Sequence, residues 1–243
     1  MSQSPPVPKV DRSDVSDFVL PDAAKLEALA EFAAGAGHEI NNPLATIIGR
    51  AQLLLKDERD PQRRQMLLSI GAQAYRIRDM IGDTMLFGRP PTPELQAVDL
   101  TLVVTDVLAR QAGELADDHC TVKVGIPDGL ILKADSTQLA IVVSELLRNS
   151  RQALSSVDGG EIRVRASFQD EFAVFEIEDC GRGFSEIERQ HAFDPFYSGR
   201  QAGRGLGFGL SKCWRIVRQH GGHIAIESST TGPTVVRVTW PRF

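Results

Sequence analysis

Apolar residues recur at steps of three and four through the first part of the chain, which is the spacing of one helix face. This stripe consists of Leu26, Leu29, Ala33, Ala36, Ile40, Leu44, Ile47, Ala51 and Leu54. After a break at "KDERDP", Pro61 is placed to open a second helix. The stripe of that second helix consists of Leu67, Ile70, Ala74, Ile77 and Ile81. Two such helices predict an antiparallel hairpin, and pairing into a four-helix bundle is the expected way to bury it. Packing on the rest of the chain is the alternative.

The second part of the chain alternates between helical and strand patterns. "LTLVVTDVLARQAGELA" predicts a helix, a second helix runs from a cap at Asp135 or Ser136 to about Leu154, and "LSKCWRIVRQH" predicts a third that ends at Gly221 and Gly222. The predicted strands are "TVKVGI", "LILKA", "EIRVRASF", "FAVFEIE", "HIAIES" and "TVVRVTW". This order predicts an α+β fold with one sheet and helices on one face.

Breaks in composition divide the chain into four segments. Residues 1–21 are rich in Ser, Pro and Asp and are predicted to form a flexible leader. Residues 22–88 form the helical hairpin, and the proline-rich stretch that follows predicts a linker at 89–97. Residues 98–243 form the second domain.

Composition narrows the classes of function. The formal charge of -5 argues against general nucleic-acid binding, which usually needs a basic surface. The three cysteines are odd in number and form no CxxC pair, so reduced thiols are expected. No apolar run approaches the roughly 20 residues of a membrane span, and the N-terminus lacks a signal-peptide core. These features predict a cytoplasmic protein without a membrane segment.

The stretch "GHEINNPL" concentrates unusual residues around one imidazole. His38 is followed by Glu39 and Asn42, a carboxylate that can take a proton and an amide that can position water. Pro43 inside a helix costs about 3 kcal/mol, so a bend is expected near His38. The two preceding glycines are expected to leave room beside the imidazole. A solvated surface histidine is the alternative, but this local cost favours a nucleophile.

Three further motifs carry candidate chemistry. "GRGLGFGLS" has glycines that let backbone N–H groups approach phosphate, although it matches neither the Walker nor the dinucleotide pattern, and a flexible loop is the alternative. "DCGRGF" places Asp179 at a strand end, where it can accept a hydrogen bond from an adenine amine. "SELLRNSRQAL" puts Glu145 and Asn149 four residues apart on one helix face, as oxygen ligands suited to magnesium and phosphate.

Taken together and in this order, the motifs resemble those of a sensor histidine kinase of two-component signalling. "GHEINNPL" is similar to the phosphoacceptor box, "ELLRNSRQA" to the N box, "DCGRGF" and "GRGLGFGLS" to the two glycine boxes, and "FDPFYSG" to the F box. The short "SGRQAG" lid resembles that of the nitrogen-regulator kinases. The resemblance covers about residues 25–240. It implies a dimeric helical hairpin followed by an α/β sandwich of the type shared with the gyrase, Hsp90 and MutL ATPases.

The resemblance also implies roles for individual residues. His38 would be the phosphorylated nucleophile, Glu39 its acid/base partner, and Asn42 the residue that positions water for phosphatase action. Asn149 and Glu145 would hold magnesium. The residues expected to contact ATP are Asn149, Arg148, Asp179, Gly181, Gly183, Phe193, Phe196, Arg200, Gly203, Arg204, Gly205, Leu206, Gly207 and Gly209.

Three residues depart from the family pattern. Glu145 stands where many of these kinases have Asn, and gives the ExxxN pattern of the hydrolysing relatives. It can bind the metal or activate water, and the metal role fits a kinase that must protect ATP. Arg200 replaces a frequent lid lysine, and Arg204 replaces a small residue between glycines.

The implied function is an ATP- and Mg²⁺-dependent protein-histidine kinase that works as a homodimer. It would phosphorylate His38 and pass the phosphoryl group to an aspartate of a response-regulator receiver domain. A separate sensor protein is a further candidate partner. The alternatives are an ATP-hydrolysing conformational switch and a phosphatase-dominant or non-catalytic regulator.

Overall fold

A long helical hairpin forms the first part of the computed structural model, which describes residues 23–198, 207–228 and 232–243, apart from several side chains near the start of the first helix. Helix α1 spans Ala23–Asp57 and α2 spans Pro61–Gly88. The carboxylate of Asp60 caps α2 by accepting hydrogen bonds from the backbone N–H groups of Gln62 and Arg63, at 2.8 and 3.0 Å. The predicted hairpin is confirmed.

The predicted apolar stripe of α1 divides into two faces. Ala33, Leu44 and Ala51 are buried within the described chain. Ile47 and Leu54, which the sequence pattern placed on the same stripe, are 42% and 61% exposed. One α1 face therefore packs within the chain, and the neighbouring face carries apolar side chains outward.

The second part of the chain contains one five-stranded sheet and one two-stranded sheet, with helices between the strands. In chain order its elements are β1 (Gln96–Asp99), α3 (Leu100–Asp117), β2 (Cys120–Gly125), β3 (Ile131–Ala134), α4 (Ser136–Leu154), a 3₁₀ turn (Ser155–Val157), β4 (Gly160–Gln169), β5 (Phe172–Asp179), α5 (Glu186–Gln190), α6 (Gly209–Gln219), β6 (His223–Glu227) and β7 (Thr234–Pro241).

The larger sheet has the strand order β2-β4-β5-β7-β6. Strands β2 and β4 are parallel, whereas the other neighbours pair antiparallel. The expectation of one sheet is wrong, because β3 pairs antiparallel with β1 in a separate two-stranded sheet. Half of β1 comes from residues predicted to be linker, and its edge supplies the partner for β3. The indole of Trp240 donates to the Lys133 carbonyl at 3.1 Å and ties β3 to the larger sheet.

The two faces of the larger sheet are covered differently. On one face Val142 of α4, Phe175 of β5 and Trp240 of β7 are buried in the core. On the other face Arg237 donates to Glu176 at 2.7 Å, and Arg163 donates to Glu178 at 2.8 Å. A helix layer on one face and an ion-pair layer on the other confirm the predicted α/β sandwich beside a helical hairpin. Among the described residues, no helix combines the length and apolar character that a membrane crossing needs.

Candidate functional site

A cavity of about 270 Å³ lies where α4, the start of α6, the segment after β5 and helix α2 meet. Its lining includes Arg148 and Asn149 of α4, Gly207 and Gly209 at the start of α6, and Asp83 of α2. The structure therefore brings together residues from the predicted N box and second glycine box. It adds a wall from the helical hairpin that the motifs did not indicate.

The fold of α4 decides which of its side chains reach this cavity. The Asp135 carboxylate caps α4 by accepting from the backbone N–H of Thr137 at 2.9 Å. Leu146 and Leu147 are buried in the core on one side of the helix, which turns Glu145 and Asn149 toward the cavity. The predicted shared face of Glu145 and Asn149 is thus present.

Glu145 is a buried carboxylate held by two cations. Its Oε1 accepts from Nζ of Lys212 at 2.7 Å, and its Oε2 accepts from the guanidinium of Arg148. Gly209 leaves space for this group, since a Cβ at Gly209 would lie 2.9 Å from Oε2 of Glu145. A metal or water-activating role for Glu145 stays a prediction.

Asp179 ends β5 as a buried carboxylate. Its Oδ1 accepts from the backbone N–H of Gly181 at 3.0 Å, and Ser150 of α4 also donates to it. Burial raises the pKa of Asp179 above its ordinary value, although these two hydrogen bonds act in the opposite direction. A Cβ on Gly181 would lie 2.6 Å from Cβ of Ala153, so glycine allows the turn to pack on α4. Asp179 is not among the residues that line the cavity.

The predicted F box packs on the start of α6. Phe193 packs partly buried against the core, and the ring of Phe196 meets that of Phe208 edge to face with centroids 4.6 Å apart. Phe196 has a φ of 67° and Gly207 a φ of 71°. A Cβ on Gly207 would lie 2.5 Å from the backbone of Phe196 and Tyr197, which explains glycine at this contact.

Most of the predicted lid lies outside the described residues. The same is true of five predicted site residues: Arg200, Gly203, Arg204, Gly205 and Leu206. Gly183 is described, and its φ of 68° shapes the turn after β5.

The predicted phosphoacceptor residues lie midway along α1. His38 is helical, and its side chain lies outside the described part of the structure; Glu39 and Asn42 are exposed. Helix α1 runs on through Pro43. A Cβ at Gly37 would lie 3.2 Å from Cγ2 of Ile81. Gly37 thus allows α1 to approach α2 closely, and the predicted room beside the imidazole stays a prediction.

An interdomain contact joins the hairpin to the second domain beside the cavity. Nζ of Lys212 on α6 donates to Oδ1 of Asp83 on α2 at 2.6 Å, as well as to Glu145. The ring of Phe87, which is fully buried, lies 6.3 Å from that of Phe208. Sequence reasoning missed Lys212 and Asp83.

Charge and burial oppose each other in this contact. Burial would lower the pKa of Lys212, but the Glu145 and Asp83 carboxylates outweigh it, and the pKa is raised. Burial raises the pKa of Asp83, against the lowering effect of Lys212. The sequence did contain a signal for this contact. Lys212 lies in a helix of mostly buried residues, and a buried ammonium needs an acidic partner.

Two family models match the chain. Residues 28–93 match the His Kinase A (phospho-acceptor) domain, and residues 134–243 match the histidine kinase-, DNA gyrase B-, and HSP90-like ATPase.

Similar curated proteins include the sensor kinase CckA of Brucella abortus, which is 31% identical over 90% of this chain and 25% of its own length. The signal transduction histidine-protein kinase AtoS of Escherichia coli is 32% identical over 85% of this chain and 34% of its own length. Sporulation kinase C of Bacillus subtilis is 26% identical over 94% of this chain and 52% of its own length. The chain thus spans only a quarter to about half of these relatives.

Solved structures share the fold. Full-length ShkA in complex with AMPPNP aligns with a TM-score of 0.76 at 19% identity, over 88% of this chain and 46% of that one. The histidine kinase ThkA in complex with the response regulator protein TrrA aligns with a TM-score of 0.64 at 20% identity, over 90% of this chain and 64% of that one.

Proposed function

The chain belongs to the sensor histidine kinases of two-component signalling, and we propose on this premise that it transfers the γ-phosphoryl group of ATP to His38. From His38 the group passes to an aspartate of a response-regulator receiver domain. Residues 22–88 form the dimerisation and phosphotransfer domain, residues 98–243 form the ATP-binding domain, and 89–97 connects them.

The cavity supports the nucleotide-binding half of this proposal. It joins Arg148, a cation suited to phosphate, to the glycines at the start of α6, where backbone N–H groups favour anions. Asp179 is proposed to recognise the adenine amine. Its buried carboxylate is held by Ser150 and by the Gly181 N–H, which fixes its orientation.

Magnesium is the proposed cofactor. Asn149 lines the cavity next to Arg148, and its amide oxygen suits a hard cation. When bound with ATP, Mg²⁺ would neutralise phosphate charge. Glu145 is the second proposed ligand, and in the structure its two oxygens contact Lys212 and Arg148.

The observation that carries the proposal is the position of the hairpin at the cavity. Asp83 of α2 lines the cavity. Gly37 of α1 faces Ile81 and Met85 of α2. A Cβ added at Gly37 would lie 3.2 Å from Cγ2 of Ile81 and 3.5 Å from Sδ of Met85. His38, the next residue along α1, therefore lies at the level of the α2 segment that borders the cavity.

The proposed transfer has simple atom balance. An imidazole nitrogen of His38 forms the new bond to the γ-phosphorus while the bond to the β,γ-bridging oxygen breaks and ADP leaves. Glu39, an exposed neighbour, takes the proton released by the imidazole. Asn42, also exposed, is proposed to position water for the reverse, phosphatase reaction on the regulator.

The proposed partners follow from the hairpin. The outward apolar residues of α1, including Ile47 and Leu54, continue on α2 as Ile70 and Ile77, which are 50% and 43% exposed. A second copy would cover these residues in a four-helix bundle. A response regulator is proposed because ThkA was solved with its regulator TrrA on a similar fold. A separate sensor protein and a cytoplasmic setting, where ATP is available, complete the proposal.

The test compares two fates of the γ-phosphate. The full chain is incubated with Mg²⁺ and γ-labelled ATP, and protein-bound label that is stable in base and labile in acid is measured beside free phosphate. A kinase accumulates bound label of this type. Free phosphate without bound label would contradict the proposal and support the ATP-hydrolysing switch.

A further inference from the structure

A chain of alternating charges runs from the wall of the cavity to the helical hairpin. Arg148, which lines the cavity, donates to Glu145; Glu145 also accepts from Lys212, and Lys212 donates to Asp83 of α2. The side chains of Lys212 and Glu145 are 6% and 10% exposed, and that of Asp83 is 22% exposed. These four groups carry no net charge together, so each depends on its neighbours for compensation.

Lys212 is the member that joins the two domains. Its ammonium lies 2.7 Å from a carboxylate of its own domain and 2.6 Å from a carboxylate of the hairpin, 129 residues away along the chain. Without the ammonium, the Glu145 and Asp83 carboxylates would face each other with little water around them. Like charges at such a contact repel, and an uncompensated buried charge is strongly unfavourable.

An aromatic contact accompanies the ion pairs. Phe208, which precedes α6, meets Phe87 of the hairpin on one side and Phe196 of the F-box segment on the other. This contact supplies apolar area but allows sliding, whereas two short ion pairs from one ammonium fix a single register. The charged group therefore sets the position of α6 on α2.

We infer that Lys212 is a positioning residue that sets where the ATP-binding domain sits on the phosphoacceptor hairpin, and that the chain Arg148–Glu145–Lys212–Asp83 couples this docking to the nucleotide pocket. The inference rests on the proposed function for the meaning of both domains. Phosphate in the cavity competes with Glu145 for Arg148, and the released oxygen strengthens the pull of Glu145 on Lys212. By linkage, docking and nucleotide binding then alter each other's equilibrium.

Docking is read as energy transfer between dyes on two introduced cysteines, Ala72→Cys on α2 and Ala109→Cys on α3, both at exposed positions. The exposed Cys180 is replaced by serine, while the other two cysteines are buried. A small amount of labelled chain is mixed with excess unlabelled chain, so that transfer within one chain is measured even in a dimer.

The variants form a cycle. Lys212→Met should shift the docked-to-undocked ratio at least about twofold toward the undocked state, which corresponds to the lower end of the interaction energies for residues in one ion-pair network. Asp83→Asn alone should have a smaller effect. The double variant should lie closer to the parent than Lys212→Met does, because it removes the repulsion between Asp83 and Glu145. Lys123→Met is the matched control, since Lys123 pairs at 2.6 Å with Glu161 within its own domain and is largely exposed.

The double variant distinguishes a role of Lys212 in positioning the two domains from a role in folding its own domain. If Lys212 only held α6 within its own domain, changing Asp83 on the hairpin would not relieve the loss. Unchanged transfer in Lys212→Met, or a double variant no closer to the parent than the single variant, would overturn the inference.

A second arm adds Mg²⁺ and a non-hydrolysable ATP analogue. The analogue should change transfer in the parent, and Lys212→Met should lose this response. A parent that ignores the analogue would overturn the link to the pocket. Neither arm needs phosphoryl transfer, so a protein that docks through Lys212 but forms no phosphohistidine would refute the proposed function alone.

Discussion

The two parts of the chain complete their cores in different ways. The ATP-binding part buries Phe175 and Trp240 to 1% exposure or less within one copy, on a sheet of five strands. The hairpin leaves Ile47 42% and Leu54 61% exposed. One part is therefore folded by its own residues, whereas the other presents an apolar face that a second copy would cover. The interdomain contact differs again, since it combines aromatic packing with buried charge.

The largest expected effect is on stability, when a buried side chain in the core of the ATP-binding part is truncated. Phe175→Ala should lower the free energy of unfolding of the ATP-binding part by about 3–5 kcal/mol, because it leaves a cavity among close-packed side chains. Both tryptophans of the chain, Trp214 and Trp240, lie in this part, so denaturant titration followed by tryptophan fluorescence reports on it.

The control is another phenylalanine on the same sheet. The ring of Phe168 is 44% exposed and lies under the guanidinium of Arg242 at 4.6 Å. Phe168→Ala should cost about 1 kcal/mol or less. Equal losses at both positions would mean that the core assignment is wrong.

A smaller effect is expected on the face that needs a partner. Ile47→Glu should weaken dimerisation by about 2 kcal/mol, roughly 30-fold in the dissociation constant, because a charge would enter the bundle seam. Sedimentation of the full chain over a concentration series measures this change. Leu102→Glu introduces the same charge at a position 69% exposed on α3 and should leave the dimer intact. A parent chain that stays monomeric at tens of micromolar would contradict the bundle.

Glu145 tests whether the charged contact also takes part in the chemistry. Glu145→Gln should keep His38 labelling within about tenfold of the parent, a barrier change of roughly 1.4 kcal/mol, because the amide oxygen can still accept from Lys212. Free-phosphate release should barely change. If parental phosphate release exceeds His38 labelling and collapses in the variant, Glu145 activates water and the kinase assignment fails.

The smallest effect concerns pH and the core histidine. His220 sits over the Trp240 ring at 4.6 Å, and its Nε2 accepts from the backbone N–H of Asp135 at 3.1 Å. Burial lowers the pKa of His220 below 6.5, although its contact with the Ile216 carbonyl and the Asp135 charge raise it. The unfolded chain then takes up a proton first as pH falls, so stability should decrease from about pH 6.5 down to the lowered folded pKa.

The variant His220→Phe keeps a ring over Trp240 but does not titrate. It should be less stable at neutral pH, because the Asp135 N–H loses its acceptor, and its stability should fall less between pH 7 and pH 5. Denaturant titrations at several pH values measure the slope. An unchanged slope would show that His220 is not the group responsible.

Periodicity predicted most of the fold because long elements repeat their burial pattern many times. Helices α1 and α2, the pair β4–β5 and the hairpin β6–β7 all lie where the sequence placed them. Strand β1 and helix α5 were missed, since four and five residues give too few repeats for a period. The capping box of α5, Ser185 with Glu188, was a local signal that could have revealed it.

The positions of the candidate site residues were predictable where one short segment carries its own pattern. Glycines at a helix start and Asp179 at a strand end are readable from short motifs. The contact between Lys212 and Asp83 is not, because only the folded chain brings residues 129 positions apart to 2.6 Å. The sequence also did not show that the α1 stripe divides into two faces. Leu44 and Ile47 are both apolar, and only the packing of α1 against α2 makes one buried and the other exposed.

The central claim is that ATP bound in one domain phosphorylates His38 of the other. The most direct measurement pairs label incorporation from Mg²⁺ and γ-labelled ATP with nucleotide affinity, in the parent, in His38→Gln and in His119→Asn. His119 is an exposed histidine with a φ of 53°, a conformation that Asn tolerates, so it serves as the matched control. The account predicts that His38→Gln loses all acid-labile label while keeping ATP affinity, and that His119→Asn keeps both. Label that persists in His38→Gln would contradict it.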